Sequence, residues 1–435
     1  MKMTYEEAMD YIHSIGMFGS NYGLERTYRL LEVLGNPHEK IKFIHVAGTN
    51  GKGSTTAMIS KMLRGMGFKV GMYTSPYLEE FEERMQINGE NIPKDKLVEL
   101  LEKVKGAVGR VIEEGYSHPT EFEIITVMML LYFYEEKVDY GVIEVGLGGR
   151  LDSTNVITPV VSVITSISLD HVNLLGNTLG EIAGEKAGII KEGVPVVIYP
   201  QKKEAEEVIL KAAEEKNSRV YKVSREDGKL IDIDYENITQ NVEVKGRNNI
   251  YKVDFPLLGE HQILNLCVAI NAIEVLCEVE NIKLEKEVIE KALKDVKWIG
   301  RLETLNRRPL IVIDGAHNID GIKSLTNNVK KYFKYNKMYL LLGILADKQV
   351  GEMIEEITPM AENVFALTPH NERAEKNEDL KNEISRINPN VEAVDDYETA
   401  IRKAISEAHE DDLILVSGSL YMIGDMRKII TKIIQ

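Results

Sequence analysis

One lysine among glycines carries the strongest chemical signal in this chain. The stretch Phe43-Ile44-His45-Val46-Ala47-Gly48-Thr49-Asn50-Gly51-Lys52-Gly53-Ser54-Thr55-Thr56 passes from apolar residues into glycines, a lysine and three hydroxyls, and an amphipathic run from Ala57 to Met66 follows. That order reads as strand, phosphate loop, helix. Glycines let backbone N–H groups turn inward around an anion, and a helix N-terminus adds partial positive charge. Lys52 has the reach for outer phosphates, and a hydroxyl at Ser54 or Thr55 suits Mg²⁺. The common pattern G-x-x-x-x-G-K-[ST] wants glycine where Val46 stands and a hydroxyl where Gly53 stands. A plain strand-to-helix turn is the alternative; the lysine and hydroxyls favour a nucleotide triphosphate.

Three further constellations follow apolar runs. In Val142-Ile143-Glu144-Val145-Gly146-Leu147-Gly148-Gly149-Arg150-Leu151-Asp152 a carboxylate ends a strand before a glycine-rich turn. Ligands of open parallel sheets bind beyond the carboxyl ends of the strands, where Glu144 could meet Mg²⁺; the alternative is a helix-capping acid. Thr165-Ser166-Ile167-Ser168-Leu169-Asp170-His171 places a histidine past another strand. Alone it reads as a hydrogen-bonded surface residue, and histidine is an unusual Mg²⁺ partner. Ile311-Val312-Ile313-Asp314-Gly315-Ala316-His317-Asn318 repeats the pattern, with Asp314 as a site residue or a helix-start cap. Arg301, just before, reads as a phosphate ligand or a solvated linker residue.

Strands and helices must position these groups. Helical patterns cover residues 4–34, broken at Gly16, Gly19 and Gly23, then 96–114, 121–136, 179–190, 262–278 and 284–294; strands are expected at 41–47, 69–74, 140–145, 160–166 and 195–199. The alternation implies a mostly parallel sheet covered on both faces. Residues 218–257 alternate Val, Ile and Tyr with polar residues, with turn signals at Asp227-Gly228 and Gly246-Arg247, and read as a small antiparallel β insertion. A boundary near 297–301 separates this part from a second α/β unit with strands at 310–313, 338–344, 362–367 and 412–417. The expected fold is therefore α/β: an ATP-binding domain over 1–297 and a C-terminal Rossmann-like domain over 298–435. A chain of 435 residues suits two domains.

The formal net charge of -16 argues against nucleic acid or anionic membrane as a partner. The two cysteines, Cys267 and Cys277, lie in one apolar helical pattern and exclude a disulfide framework, which suits a cytoplasmic protein. The N-terminus lacks an apolar signal core, and the run from Ile124 to Tyr134 is too short to span a bilayer.

With these residues in view, the chain resembles folylpolyglutamate synthase and the bifunctional dihydrofolate synthase of the Mur ligase superfamily. The resemblance covers nearly the whole sequence. It rests on HVAGTNGKGST (45–55), YTSPYL (73–78), ERMQING (83–89), VIEVGLGGRLDSTN (142–155), SLDHVNLLGNT (168–178), GEKAGIIK (184–191), HQILN (261–265), IGRLE (299–303), VIDGAHN (312–318) and SGSLYM (417–422). The family's Gly-Lys-Gly-Ser loop accounts for the departure at Gly53. The resemblance implies that Gly48, Thr49, Asn50, Gly51, Lys52, Gly53, Ser54 and Thr55, with Asn265, Arg301 and Asp314, hold ATP. It implies Mg²⁺ at Ser54, Ser75, Glu144 and His171, a carbamate on Lys186, and a monovalent cation. The acceptor pocket would use Asn21, Tyr22 and Gly23, Thr120, Glu121, Phe122 and Glu123, and Leu151, Asp152 and Ser153. Asn21 stands where dihydropteroate-using members carry aspartate. His317 and Ser419 would position glutamate, and the family suggests a monomer.

The implied reaction is ATP-dependent addition of L-glutamate to a folate or pterin acid, with dihydropteroate as a further acceptor, through an acyl phosphate. Lys52, backbone amides and Mg²⁺ would stabilise the transferring phosphoryl group. A Mur-type amino-acid ligase of cell-wall precursor synthesis is the alternative that shares this loop. A GTPase would need an Asn-Lys-x-Asp base reader, and Asn336-Lys337 is followed by Met338-Tyr339. A non-catalytic ATP-binding module would not need Lys52, Glu144 and His171 together.

Overall fold

The computed structural model describes residues 3–15 and 23–434. Three sheets organise it. The first contains β1 (Lys42–Ala47), β2 (Val70–Tyr73), β3 (Met85–Ile87), β4 (Glu90–Asn91), β5 (Tyr140–Glu144), β6 (Val161–Ile164), β7 (Val196–Ile198) and β8 (Val220–Lys222), in the order β4-β3-β2-β5-β1-β6-β7-β8. The second is antiparallel: β9 (Gly228–Asp234), β10 (Thr239–Lys245) and β11 (Ile250–Phe255). The third runs β12-β13-β17-β14-β15-β16, from β12 (Glu303–Arg307), β13 (Leu310–Asp314), β14 (Met338–Leu342), β15 (Asn363–Ala366), β16 (Val391–Ala393) and β17 (Leu413–Ser417).

The helices are α1 (Tyr5–Ile15), α2 (Glu25–Val33), α3 (Lys52–Gly65), α4 (Lys94–Glu113), α5 (Glu121–Glu135), α6 (Val172–Leu175), α7 (Leu179–Ala187), α8 (Lys203–Glu215), α9 (Glu260–Glu280), α10 (Lys286–Lys294), α11 (Ile319–Tyr332), α12 (Val350–Ile357), α13 (Asn377–Ile384), α14 (Tyr397–Glu407) and α15 (Leu420–Ile434).

Alternation along β1 sends side chains to opposite faces. Ile44 and Val46 join a core with Met58, Met62, Leu266 and Ile270 of α3 and α9, whereas Phe43 packs with α4 and α5. Burial on both faces explains why the strands read as continuous apolar runs. Helix α9 is long and apolar enough to cross a membrane by composition, but 83% of its apolar window is buried within the protein. It is a core helix, lying between the first and second sheets.

Strands β2, β5, β1 and β6 are mutually parallel, so their carboxyl ends share one edge. Residues 48–51, Ser75, Glu144 and the 165–171 segment all leave from it. Parallel β13, β17 and β14 likewise bring Asp314 and the turns that follow to one edge of the third sheet. The two edges face each other across a cleft.

Two expectations need correction. The antiparallel insertion does not begin at 218: β8 extends the first sheet in parallel, and the antiparallel sheet starts at Gly228. Nor is Asp227-Gly228 its hairpin turn. Ser224 accepts from Glu226 N and caps a short 3₁₀ turn there, while a Cβ on Gly228 would lie 2.6 Å from Ile263 Cγ2 and 2.8 Å from Cys267 Sγ of α9. Gly228 marks a close approach of helix and strand, and the turn itself falls at 235–238, with Ile238 at φ 56°. Gly246-Arg247 does form the β10–β11 turn.

Candidate active site in the cleft between two sheet edges

The cleft has a volume of about 580 Å³ and is lined from both sides by Lys52, Ser54, Ser75, Glu144, His171, Lys186, Asn265, Arg301, Asp314 and His317, among others. Its floor is the 48–51 loop. Gly48 has φ 154°, and a Cβ there would sit 1.8 Å from Thr165 Oγ1; Gly51 has φ 85°, and its Cβ would fall 2.5 Å from Asn265 Oδ1. No L side chain fits either place without displacing the segments that hold the loop. Thr49 N donates to Ser166 O (2.8 Å), and Thr49 Oγ1 donates to Ser168 O (3.1 Å) while accepting from Ser168 N (3.1 Å). The phosphate loop is thus stitched to the segment carrying Asp170 and His171.

Gly53, the odd residue of the motif, has a local cause. A Cβ there would lie 2.4 Å from Trp298 Cζ2. The chain's single tryptophan packs its indole edge against the first turn of α3, where a serine or threonine would collide. Of the following hydroxyls, Ser54 lines the cleft and accepts from Gln262 Nε2 (3.1 Å). Thr55 is fully buried, does not line the cleft, and has no hydrogen-bond partner for its hydroxyl.

Lys52 Nζ donates to Thr49 O (3.3 Å) and lies 3.9 Å from Glu144 Oε1. Glu144 is 5% exposed and accepts from Ser75 N (3.3 Å). Burial pushes its pKa up to about 7, against the pull of Lys52, the Ser75 amide and Arg301. A carboxylate so poorly solvated gains from a cation beside it, which is what a Mg²⁺ position requires. Among the described residues no three His, Cys, Asp or Glu side chains cluster as a metal site.

Lys186, on α7, is 3% exposed and donates to Gly48 O at 3.0 Å. Burial, with the positive charge of Lys52, lowers its pKa to about 7. The glycines at 149 and 188 make this approach possible: a Cβ on Gly149 would lie 2.6 Å from Glu185 O, and one on Gly188 would lie 2.4 Å from Arg150 Cβ. The glycine-rich turn after β5 therefore packs against the helix that carries Lys186.

From the third sheet, Asp314 accepts from Leu302 N (2.8 Å) and Ala316 N (2.9 Å), with Arg301 nearby in charge. It does not cap α11; Asn318 does, accepting from Gly321 N (2.8 Å). Asn318 Nδ2 also donates to Asn50 Oδ1 (3.3 Å), joining the two edges. His317 Nδ1 donates to Gly315 O (2.8 Å), which leaves Nε2 as the unprotonated nitrogen. Burial and Arg301 hold its pKa near 4, so the ring is neutral. Ser419 is 1% exposed, has no partner for its hydroxyl and does not line the cleft.

The residues expected to bind the acceptor stand apart from this floor. Asn21 and Tyr22 lie outside the described residues; Gly23 has φ 148°. Thr120 caps α5 in a reciprocal box with Glu123. Glu123 is 2% exposed and also accepts from Arg26 Nε (3.2 Å) and Thr27 Oγ1 (3.3 Å), so it ties α2 to α5. Glu121 and Phe122 form the first turn of α5, and the Phe122 ring lies 2.4 Å from where a Gly146 Cβ would be. Leu151 is 38% exposed, while Asp152 and Ser153 are buried.

Sequence reasoning passed over Trp298, Gln262, Asn318 and the ion pair Lys348–Asp170 (2.7 Å), which bridges the two edges with both side chains largely buried. A lone tryptophan in the expected linker was the available signal for the first. Nothing local marks Lys348, because its partner is distant in the chain.

Residues 46–273 match the Mur ligase middle domain and residues 300–420 the glutamate ligase domain of Mur ligases. The chain is 37% identical over 430 residues to a dihydrofolate synthase/folylpolyglutamate synthase of Bacillus subtilis, covering 98% of this chain and 99% of that one. It is 36% identical to a folylpolyglutamate synthase of Lacticaseibacillus casei, covering 98% of each. A Mycobacterium tuberculosis folylpolyglutamate synthase structure with ADP and AMPPCP superposes with a TM-score of 0.90 at 28% identity, covering 98% of this chain and 99% of that one. An FPGS–AMPPCP–folate complex superposes at 0.85 with 34% identity over the whole of both chains. The chain belongs to the folylpolyglutamate synthase/dihydrofolate synthase family of the Mur ligases.

Proposed function

We propose that this protein is an ATP-dependent ligase that adds L-glutamate to the carboxylate of tetrahydrofolate or a folylpolyglutamate. The observation that carries this reading is the single cleft in which Lys52, Glu144 and Lys186 of one sheet edge face Arg301, Asp314 and His317 of the other. Full-length similarity to folylpolyglutamate synthases selects folate over the cell-wall precursors of other Mur ligases. Residues 1–297 and 298–435 act as two domains that close over the substrates.

In this reading the acceptor carboxylate attacks the γ-phosphorus of ATP, releasing ADP and giving an acyl phosphate. The amine of glutamate then attacks the carbonyl carbon, and phosphate leaves as the amide forms. The 48–54 loop binds the phosphates, with Lys52 placed for the charge that develops on the transferring group. Asn265, beside Gly51, and Arg301 and Asp314, from the far side, hold the nucleotide. Ser54, Ser75, Glu144 and His171 would hold Mg²⁺, which offsets phosphate charge when bound. Closure keeps water from the acyl phosphate. His317 offers its neutral nitrogen to the glutamate amine, whereas the Ser419 hydroxyl is buried away from the cleft.

Lys186 is the carbamate candidate. Its pKa of about 7 leaves a large share of the amine neutral at physiological pH, the form that captures CO₂. A monovalent cation, a cytoplasmic location and a monomeric state belong to the same reading. Dihydropteroate is a second acceptor, supported by relatives named for both activities. A coupled ADP-release assay tests the whole: release should need L-glutamate and a folate acid together, and no ADP with either tetrahydrofolate or dihydropteroate would overturn the proposal.

A further inference from the structure

We propose that His45 and Thr154 form a buried hydrogen-bond relay that fixes Asp152, and through it the 146–152 turn, in the shape that receives the acceptor acid. Both are positioning residues, and the inference rests on the ligase reading above.

Asp152 closes the glycine-rich turn after β5, and Thr154 links it to His45 of β1. Its Oδ1 accepts from Thr154 N (3.0 Å) and from the Thr154 hydroxyl, and its Oδ2 accepts from Leu147 N (2.8 Å), with the Gly146 amide also in reach. A carboxylate offers about four lone-pair sites. All are taken from within the protein, and the side chain is 6% exposed. Asp152 therefore shapes the turn whose Gly146, Leu147 and Gly148 line the cleft beside Glu144.

The Thr154 hydroxyl has one proton, and Asp152 takes it. Its second contact, His45 Nε2 at 2.9 Å, must then be a donor. His45 is thereby fixed as the neutral Nε2–H tautomer. It has no exposed surface, and its Nδ1 has no partner. An apolar residue of similar size would fill the same space without a buried unpaired acceptor. The histidine is intelligible as the donor that orients the threonine. It also sits on β1, three positions before Gly48, so the strand that ends in the phosphate loop also anchors the acceptor-side turn.

The test uses the full-length chain and four variants: Thr154→Val, Thr154→Ser, His45→Met and the His45→Met/Thr154→Val double. Steady-state kinetics with ATP, glutamate and tetrahydrofolate should show Thr154→Val raising KM for the folate by about tenfold, as for loss of a hydrogen bond to a buried charge, with KM for ATP changed by less than about twofold. Thr154→Ser should restore the folate KM, and the double variant should be no worse than Thr154→Val. Equal rises in both KM values, no rescue by serine, or additive losses would overturn the relay.

Two readouts do not depend on turnover. Imidazole nitrogen NMR of the wild type should show His45 as Nε2–H, and hydrogen exchange at the Leu147 amide should quicken in Thr154→Val. An Nδ1–H tautomer, or unchanged Leu147 exchange, would refute the relay even if the wild type proved inactive with folate. Wild-type inactivity would instead count against the ligase reading.

Discussion

Lys52 enters the cleft from the first turn of α3 with one weak carbonyl contact and a distant carboxylate, so its ammonium is available to a phosphate. Lys52→Ala should lower kcat by about 100-fold or more, the scale of losing a charged transition-state contact, while melting within about 2 °C of wild type. Near-normal turnover would remove its phosphate role. Buried histidines give a second residue-scale expectation. His45, His261 and His317 are held by burial at pKa values of about 3, 4 and 4, against 6.5 when exposed. Between about 6.5 and 4 the unfolded chain therefore binds protons that the folded chain refuses, and from these groups stability rises with pH. Glu144, raised to about 7 from 4.5, holds a proton when folded that the unfolded chain loses, and so works in the opposite sense across that window. Urea unfolding from pH 4.5 to 7 should show the histidine slope, flattened in His45→Gln by about one proton. An unchanged slope would mean that His45 is protonated in the fold.

At the scale of elements, the 48–51 loop depends on two backbone conformations that side chains cannot copy. Gly48→Ala should weaken binding of a non-hydrolysable ATP analogue by about tenfold, because its Cβ displaces Thr165 and so the segment bonded to Thr49. Titration calorimetry would measure it, and unaltered affinity would contradict the loop's role. This loop was legible because glycine, lysine and hydroxyl chemistry is local, as was the continuous apolar burial of β1, β5 and β6. Other elements were not read. The β3–β4 hairpin turns at Asn88-Gly89, with φ of 53° and 80°, a pair of residues that favours this reversal but was absorbed into a longer motif. Strand β8 alternates like its antiparallel successors, and only its neighbour β7 decides that it runs parallel. Strands β12 and β16 lie at the edges of the third sheet, where partly exposed residues leave little hydrophobic pattern. At the site, Thr55 and Ser54 looked equivalent; helix phase turns only Ser54 to the cleft.

At the scale of the molecule, function requires the two sheet edges to meet, and several contacts bridge them. Lys348 pairs with Asp170 beside His171; Arg427 of α15 pairs with Glu303 and with Glu79 of the 76–80 loop; and Gly424 lets α15 approach the Leu78 carbonyl, where a Cβ would lie 1.9 Å away. The first pair is the more deeply buried, so breaking it strands a desolvated carboxylate. Lys348→Met should cost about 3 kcal/mol, whereas Arg427→Met, at a wetter site, should cost about 1 kcal/mol. Denaturant melts would rank them, and the reverse order would show that Asp170 and Lys348 are solvated. The central claim is that a folate carboxylate becomes an acyl phosphate in this cleft, and isotope transfer tests it most directly. Tetrahydrofolate labelled with ¹⁸O in its terminal carboxylate, turned over with ATP and glutamate, should deliver one ¹⁸O to the released phosphate. Phosphate free of label, formed alongside the amide product, would contradict the account.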